Sequence, residues 1–110
     1  MPLLERVRVE AYIPDLQSPA YRNLLLSLEV EFTYAFGGCT IAHGRNGSYL
    51  SQAGAITSDR INVIYTDLPL AFSTNYESVA RYADELKKVV VEALAEETVL
   101  VAVIQLYHAV

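Results

Sequence analysis

The sequence predicts a single α+β domain whose elements follow in the order β-α-β-β-α-β. Three features predict it: alternating apolar residues near the start, two long segments with helical spacing, and an apolar run at residues 99–106. A chain of 110 residues has the size of one ordinary domain, so residues 1–110 are assigned to one unit.

The first strand and the first helix are marked at their ends. Residues 7–13 alternate between apolar and polar side chains, as a half-buried strand does. Ser18-Pro19 then fits a helix N-cap followed by proline in the first turn. Helical spacing continues to Phe36, and two glycines follow. Residues 28–34 also alternate like a strand, but we favour a helix because the helical pattern is longer.

The middle of the chain predicts two strands. Residues 40–43 and 48–51 fit one strand, interrupted at 44–47, where the glycines permit either a tight hairpin or a bulge. We predict a turn over residues 52–58 and the next strand over 60–66.

The second helix is predicted over residues 76–96, because Thr74 and Glu77 fit a capping box. The final strand, residues 99–106, is apolar on both faces. This order is the split-βαβ, ferredoxin-like arrangement, with two helices on one face of a four-stranded antiparallel sheet.

The sheet face away from the helices is expected to be unusually apolar. If Leu100 and Ile104 face the helices, the alternate residues of the last strand must point away. The interface residues would then be Tyr12, Val99, Val101, Val103 and Tyr107. Soluble monomers rarely expose such a patch, so we expect a homodimer or homotrimer joined through the open sheet face. The alternative is that the termini or residues 52–58 cover this face.

Composition argues against several classes of function. With 13 acidic and 8 basic residues, the net charge of −5 does not favour nucleic-acid binding. Cys39 is the single cysteine and the two histidines lack ligand spacing, so we expect no disulfide, metal or cofactor. Without a signal-like or membrane-spanning segment, we expect a cytoplasmic protein that does not bind membranes.

The candidate ligand site is the polar, glycine-rich segment that contains His43, Arg45 and Tyr49. Glycines let the backbone approach a ligand, and arginine with histidine can hold an anion. We expect these three residues to bind an anionic small molecule near a subunit boundary.

The first functional hypothesis is therefore a noncatalytic small-molecule-binding or regulatory protein. A second is a cofactor-free isomerase or hydrolase that works between helices and sheet, with His43 or Glu31 as the base. A third is a protein–protein adaptor that uses Val101 and Val103.

Several short segments resemble a family of small bacterial proteins with no assigned activity. The segments are Phe36-Gly37-Gly38-Cys39-Thr40, Gly44, Gly47-Ser48-Tyr49 and residues 59–66. The resemblance implies the ferredoxin-like fold and transfers no catalytic residue. The architecture is also similar to trimeric signalling proteins of the PII type and to dimeric α/β-barrel proteins. The chain lacks a recognisable nucleotide-binding loop of the former and the histidine-rich pockets of the latter, so this likeness supports the fold and transfers no residue role.

Overall fold

The structure, a computed structural model, describes residues 2–96 and 99–109. Its elements are β1 (Leu3–Pro14), α1 (Pro19–Phe36), β2 (Thr40–Leu50), β3 (Ile56–Leu68), α2 (Tyr76–Leu94) and β4 (Leu100–Ala109). This order confirms the predicted α+β arrangement. Neither helix in the described part of the chain is long and apolar enough to cross a membrane.

The four strands form one antiparallel sheet in the order β2-β3-β1-β4. β1 lies inside the sheet, where residues 7–14 pair with β3 and residues 3–12 pair with β4. Each helix therefore connects two parallel strands that have a third strand between them. This is the ferredoxin-like topology that the sequence predicts.

The core lies between the helices and one face of the sheet. The apolar side chains of β1 that alternate in the sequence are all fully buried on this face, as the strand pattern requires. The helices contribute their apolar stripes, and the core residues from all three elements are Val7, Val9, Ala11, Ile13, Tyr21, Leu24, Leu28, Phe32, Val79, Leu86 and Val90.

Helix α1 begins and ends where its sequence predicts. Ser18 Oγ accepts a hydrogen bond from the Tyr21 amide at 3.2 Å. Gly37 adopts a φ of 92° and donates its amide to the Thr33 carbonyl at 2.9 Å. A left-handed residue at this position is the usual glycine stop of a helix. Residues 28–34 are therefore helical.

The start of α2 differs from the predicted capping box. Asn75 is the N-cap residue and its side chain makes no capping hydrogen bond. The preceding turn uses its own polar groups instead, since Thr74 Oγ1 donates to the Ala71 carbonyl at 3.5 Å. The assignment of Thr74 as the cap was therefore wrong by one residue. The helix ends at Leu94, two residues earlier than predicted.

The faces of β4 are the reverse of the predicted ones. Val103 pairs with Val9, and Val101 pairs with Ala11. Directly paired residues share a sheet face, and both partners on β1 are fully buried against the helices.

The prediction that the alternate residues of β4 point away from the helices was therefore wrong. Val99, Val101 and Val103 pack against the core. Tyr107 lies opposite Glu5 on the same face and is 56% exposed. A strand that is apolar on both faces has no polar alternation to show which side chains face the core. The sequence pattern alone therefore did not decide which face each residue of β4 occupies. Tyr12 does lie on the open face.

The interruption predicted at residues 44–47 is a β-bulge. The pairing register of β2 and β3 shifts between Ala42 and Arg45, so His43 and Gly44 both oppose Asn62. The hairpin turn comes later, where the Ser51 amide donates to the Ala55 carbonyl at 2.8 Å. The turn is thus shorter than the predicted 52–58, and β3 begins at Ile56.

Residues 46–60 project from the body of the protein as a two-stranded ribbon, which we call the arm. β1 ends opposite Ile61, so no third strand from residues 2–96 or 99–109 pairs with the arm. The radius of gyration is 15.1 Å and the longest dimension is 48 Å. A compact domain of this length has a radius of gyration of about 13 Å. The arm explains this elongation.

Candidate functional site

The sheet face opposite the helices, which we call the open face, presents alternate side chains from all four strands. β1 contributes Arg8, Glu10 and Tyr12, because their neighbours in sequence are the buried core residues. The paired positions of the adjoining strands add Ile61, Val63, Tyr65, Asp67, Leu100, Ala102, Ile104 and Leu106.

A shallow depression of about 360 Å³ lies on the open face beside the bulge. Its apolar lining comes from Ala42, Ile61 and Val63, and two tyrosine side chains, Tyr12 and Tyr65, adjoin it. The bulge lies within this lining: Ala42 precedes it, and Arg45 follows it at the point where β2 regains its pairing with β3.

The polar groups of the depression are Glu10, Arg45 and Asn46. The hydroxyl of Tyr12 donates to Glu10 Oε1 at 2.7 Å. This hydrogen bond, together with partial burial, raises the pKa of Tyr12, so the phenol stays protonated. Within the described residues, the Arg45 side chain makes no ion pair. Arg45 is thus the cation of the depression that is available to a ligand.

A second polar group on the open face joins three strands. Arg8 Nε donates to Asp67 Oδ1 at 2.7 Å and Arg8 Nη2 donates to Asp67 Oδ2 at 3.0 Å. His108 Nε2 lies 2.9 Å from Asp67 Oδ2. The Arg8 guanidinium also lies 4.2 Å from the centre of the Tyr65 ring. This bidentate pairing holds both carboxylate oxygens of Asp67 in place.

The Arg8–Asp67 hydrogen bonds hold the pKa of Asp67 below its ordinary value, and His108 contributes in the same direction. A carboxylate engaged in this way is a poor proton acceptor. We therefore read the group as a structural clamp across β3, β1 and β4. The local sequence pattern does not predict this group, because the pairing of Arg8 with Asp67 depends on the register between β1 and β3.

The three predicted ligand residues do not form one compact site. Arg45 lines the depression. His43 lies in the bulge with an exposed side chain. Tyr49 pairs with Thr57 in the arm, four residues or about 13 Å along the strand from Arg45. The side chain of Tyr49 lies outside the part that the structure describes.

The candidate bases of the enzyme hypothesis are not enclosed. His43 and Glu31 are both exposed, and Glu31 accepts a hydrogen bond from the Tyr82 hydroxyl at 3.4 Å. Among described residues, the buried polar groups include Asn62, Thr66 and the Tyr21 hydroxyl, which accepts a hydrogen bond from Asn62. Neither His43 nor Glu31, the two candidate bases, is among these buried groups.

Asn62 holds the bulge next to the first helix. Its Oδ1 accepts the Gly44 amide at 3.0 Å, and its Nδ2 donates to Asp15 Oδ1 at 3.2 Å and to the Tyr21 hydroxyl. Because Asn62 is only 2% exposed, these partners replace its water. This network positions the strand that carries Arg45.

Comparison with known proteins gives a limited result. No protein-family model matches the chain, and no curated protein matches it. Among solved structures, the crystal structure of CutA1 from Oryza sativa is similar, with a TM-score of 0.48 and 16% identity. The match covers 98% of this chain and 84% of that chain.

Proposed function

We propose that the protein is a noncatalytic, self-associating, small-molecule-binding or regulatory protein whose ligand is an organic anion. The observation that carries the proposal is Arg45 at a depression lined by both apolar and polar side chains, without an ion-pair partner among the described residues.

The lining of the depression favours an anion with an apolar body. A guanidinium pairs with a carboxylate through two parallel hydrogen bonds, which fixes the orientation of the ligand. The apolar portion of such a ligand would contact Ile61 and Val63, with Tyr12 and Tyr65 beside it. Small-molecule sites commonly combine apolar side chains with a few polar groups that fix the orientation of the ligand.

Binding is favoured over catalysis because the titratable groups near the depression are already engaged. Glu10 accepts from Tyr12, and Asp67 is held by Arg8 and His108. A general base must be able to take a proton from a substrate at hydrogen-bond distance.

Self-association is supported by the apolar strip along β4. Leu100 is 60% exposed and Ile104 is 40% exposed on the open face. Covering both in two copies contributes at most about 6–12 kcal/mol, at about 1.5–3 kcal/mol per side chain. Association itself costs about 4–15 kcal/mol, so further contacts between copies are needed. Tyr12 pairs directly with Leu100, which places the depression beside this strip.

The ligand part of the proposal is tested by thermal-shift measurements with aliphatic and aromatic monocarboxylates, and with inorganic phosphate. We expect the carboxylates with an apolar body to raise the melting temperature and phosphate to have less effect. Arg45→Ala should abolish the rise, and Arg45→Lys should reduce it because lysine loses the paired hydrogen bonds.

The matched control is Arg22→Ala, which removes an exposed arginine from α1 and should leave the ligand response intact. A carboxylate response that is equal in Arg45→Ala and the unchanged protein would contradict the proposed site. A flat response to the whole panel in folded protein would contradict an anionic ligand.

A further inference from the structure

The arm is a well-formed element with little to support it. Five residue pairs join its two strands, and Ser48 Oγ lies 3.3 Å from Ser58 Oγ across the ribbon. Its turn is closed by hydrogen bonds within residues 51–55, with Gly54 at a φ of 82°. An isolated two-stranded hairpin is only marginally stable in water, so such an arm gains from a third strand.

The end of the arm is apolar and exposed. Leu50 and Ile56 lie directly opposite each other on the two strands, 72% and 80% exposed. Cross-strand apolar pairs stabilise a sheet when a neighbour covers them. In this chain alone the pair faces solvent.

Beyond its base, where Asp59 and Arg60 lie, the arm lacks the features that normally protect an exposed strand edge. Residues 46–58 contain no lysine, arginine, aspartate, glutamate or proline, although 19% of the chain is charged. Native proteins place charges or proline on free edges to prevent pairing with another chain. The absence of charges and proline over thirteen consecutive positions indicates an edge that pairs with another strand.

β4 is the matching surface within the same protein. It is the outer strand of the sheet on the side away from β2, so one of its edges is unpaired. Residues 99–107 are also free of charged side chains. The exposed Leu100 and Ile104 supply apolar surface for the Leu50–Ile56 pair.

We propose that the arm of one copy lies along β4 of a second copy. The proposal rests on the self-association proposed above and names the contact that produces it. A second copy is the fitting partner because it brings one uncharged segment at residues 46–58 of the arm and one uncharged segment at residues 99–107 of the edge strand. Arm and β4 are different surfaces, so two reciprocal contacts in a dimer, or three around a ring, would satisfy every arm.

The test uses site-directed cross-linking between differently tagged copies that are co-expressed in one cell, both with Cys39→Ser. One copy carries Ile56→Cys and the other carries Ile104→Cys. A short bis-maleimide can join the two introduced cysteines even where they are not directly opposite each other. We expect a covalent heterodimer of the two tagged chains. The matched control replaces Ile56→Cys with Tyr34→Cys, an 88% exposed position on α1, and should give none.

Sedimentation of the unchanged protein separates the two proposals. Association with no Ile56–Ile104 cross-link, or with Ile104→Cys cross-linking only to itself, would overturn the arm contact and leave self-association standing. A monomer would overturn both. Association together with the specific heterodimer supports both.

Discussion

Arg8 and Asp67 face each other across β1 and β3, with His108 from β4 on the same carboxylate. Both side chains are partly shielded, with exposed fractions of 27% and 19%. Each of these two residues, taken alone, is an ordinary charged residue on a strand. Together with Tyr65 they connect three strands at one end of the open face.

We predict that Asp67→Asn lowers the free energy of unfolding by about 1–2 kcal/mol at neutral pH. The folded-state pKa of Asp67 lies below its ordinary value of 3.8. The stabilisation is therefore present above that value and is lost as the pH falls toward the folded-state pKa. Urea unfolding at pH 7 and at steps below pH 4 should show the difference from the unchanged protein shrinking.

The control is Asp84→Asn, which removes an exposed helical pair with Lys88 at 3.3 Å. That change should cost no more than about 0.5 kcal/mol. An equal loss in both variants, or a pH-independent difference for Asp67→Asn, would argue against the clamp.

Asn62 provides a second test at the level of one residue, because it is buried and bonds to three neighbours. Asn62→Ala should destabilise the fold by about 2–4 kcal/mol, since it leaves the Gly44 amide without its partner. Asn23→Ala, at an exposed position of α1, should change stability by less than about 0.5 kcal/mol. Denaturant titration measures both, and similar values would mean that the Asn62 network contributes little.

The bulge is the element that sets the position of Arg45, and its geometry depends on Gly44. This glycine has a φ of +69°, and a Cβ there would lie 3.0 Å from Arg60 Nη2. We predict that Gly44→Ala destabilises the protein by about 1–2 kcal/mol. Gly38→Ala is the matched control, because that position lacks a positive φ and has no atom near the added Cβ. Calorimetry showing equal melting temperatures for the two variants would rule out a strained bulge.

The contrast between α1 and β4 shows what the sequence could predict. α1 carries a capping serine, a first-turn proline, an apolar stripe and a terminal glycine, so independent signals agree on its bounds. β4 carries apolar residues on both faces, and its direction is set by pairing with β1 rather than by its own pattern. Long-range register is the information that a local pattern lacks.

The lack of register information also explains why the sequence predicted only part of the candidate site. Arg45 was predicted from its polar, glycine-rich surroundings, and it does line the depression. Glu10, Tyr12 and Tyr65 come from other strands, and only the register brings them beside it. The Arg8–Asp67–His108 group spans a hundred residues of sequence, and it was not predicted because only the strand register brings these residues together.

At the scale of the whole molecule, a single copy leaves the apolar strip of β4 and the uncharged residues 46–58 of the arm uncovered. We predict that Leu100→Asp dissociates the assembly, because a buried carboxylate between copies is costly. Leu26→Asp is the matched control: Leu26 is also 60% exposed but lies on α1. Sedimentation should show monomer for the first variant and assembly for the second, with both folded by circular dichroism.

Sedimentation velocity of the unchanged protein at micromolar concentration tests the proposed self-association most directly. We predict a species of two or three times the 12.2 kDa chain mass, held through β4 and the arm. A single species at 12.2 kDa throughout the concentration range would contradict it.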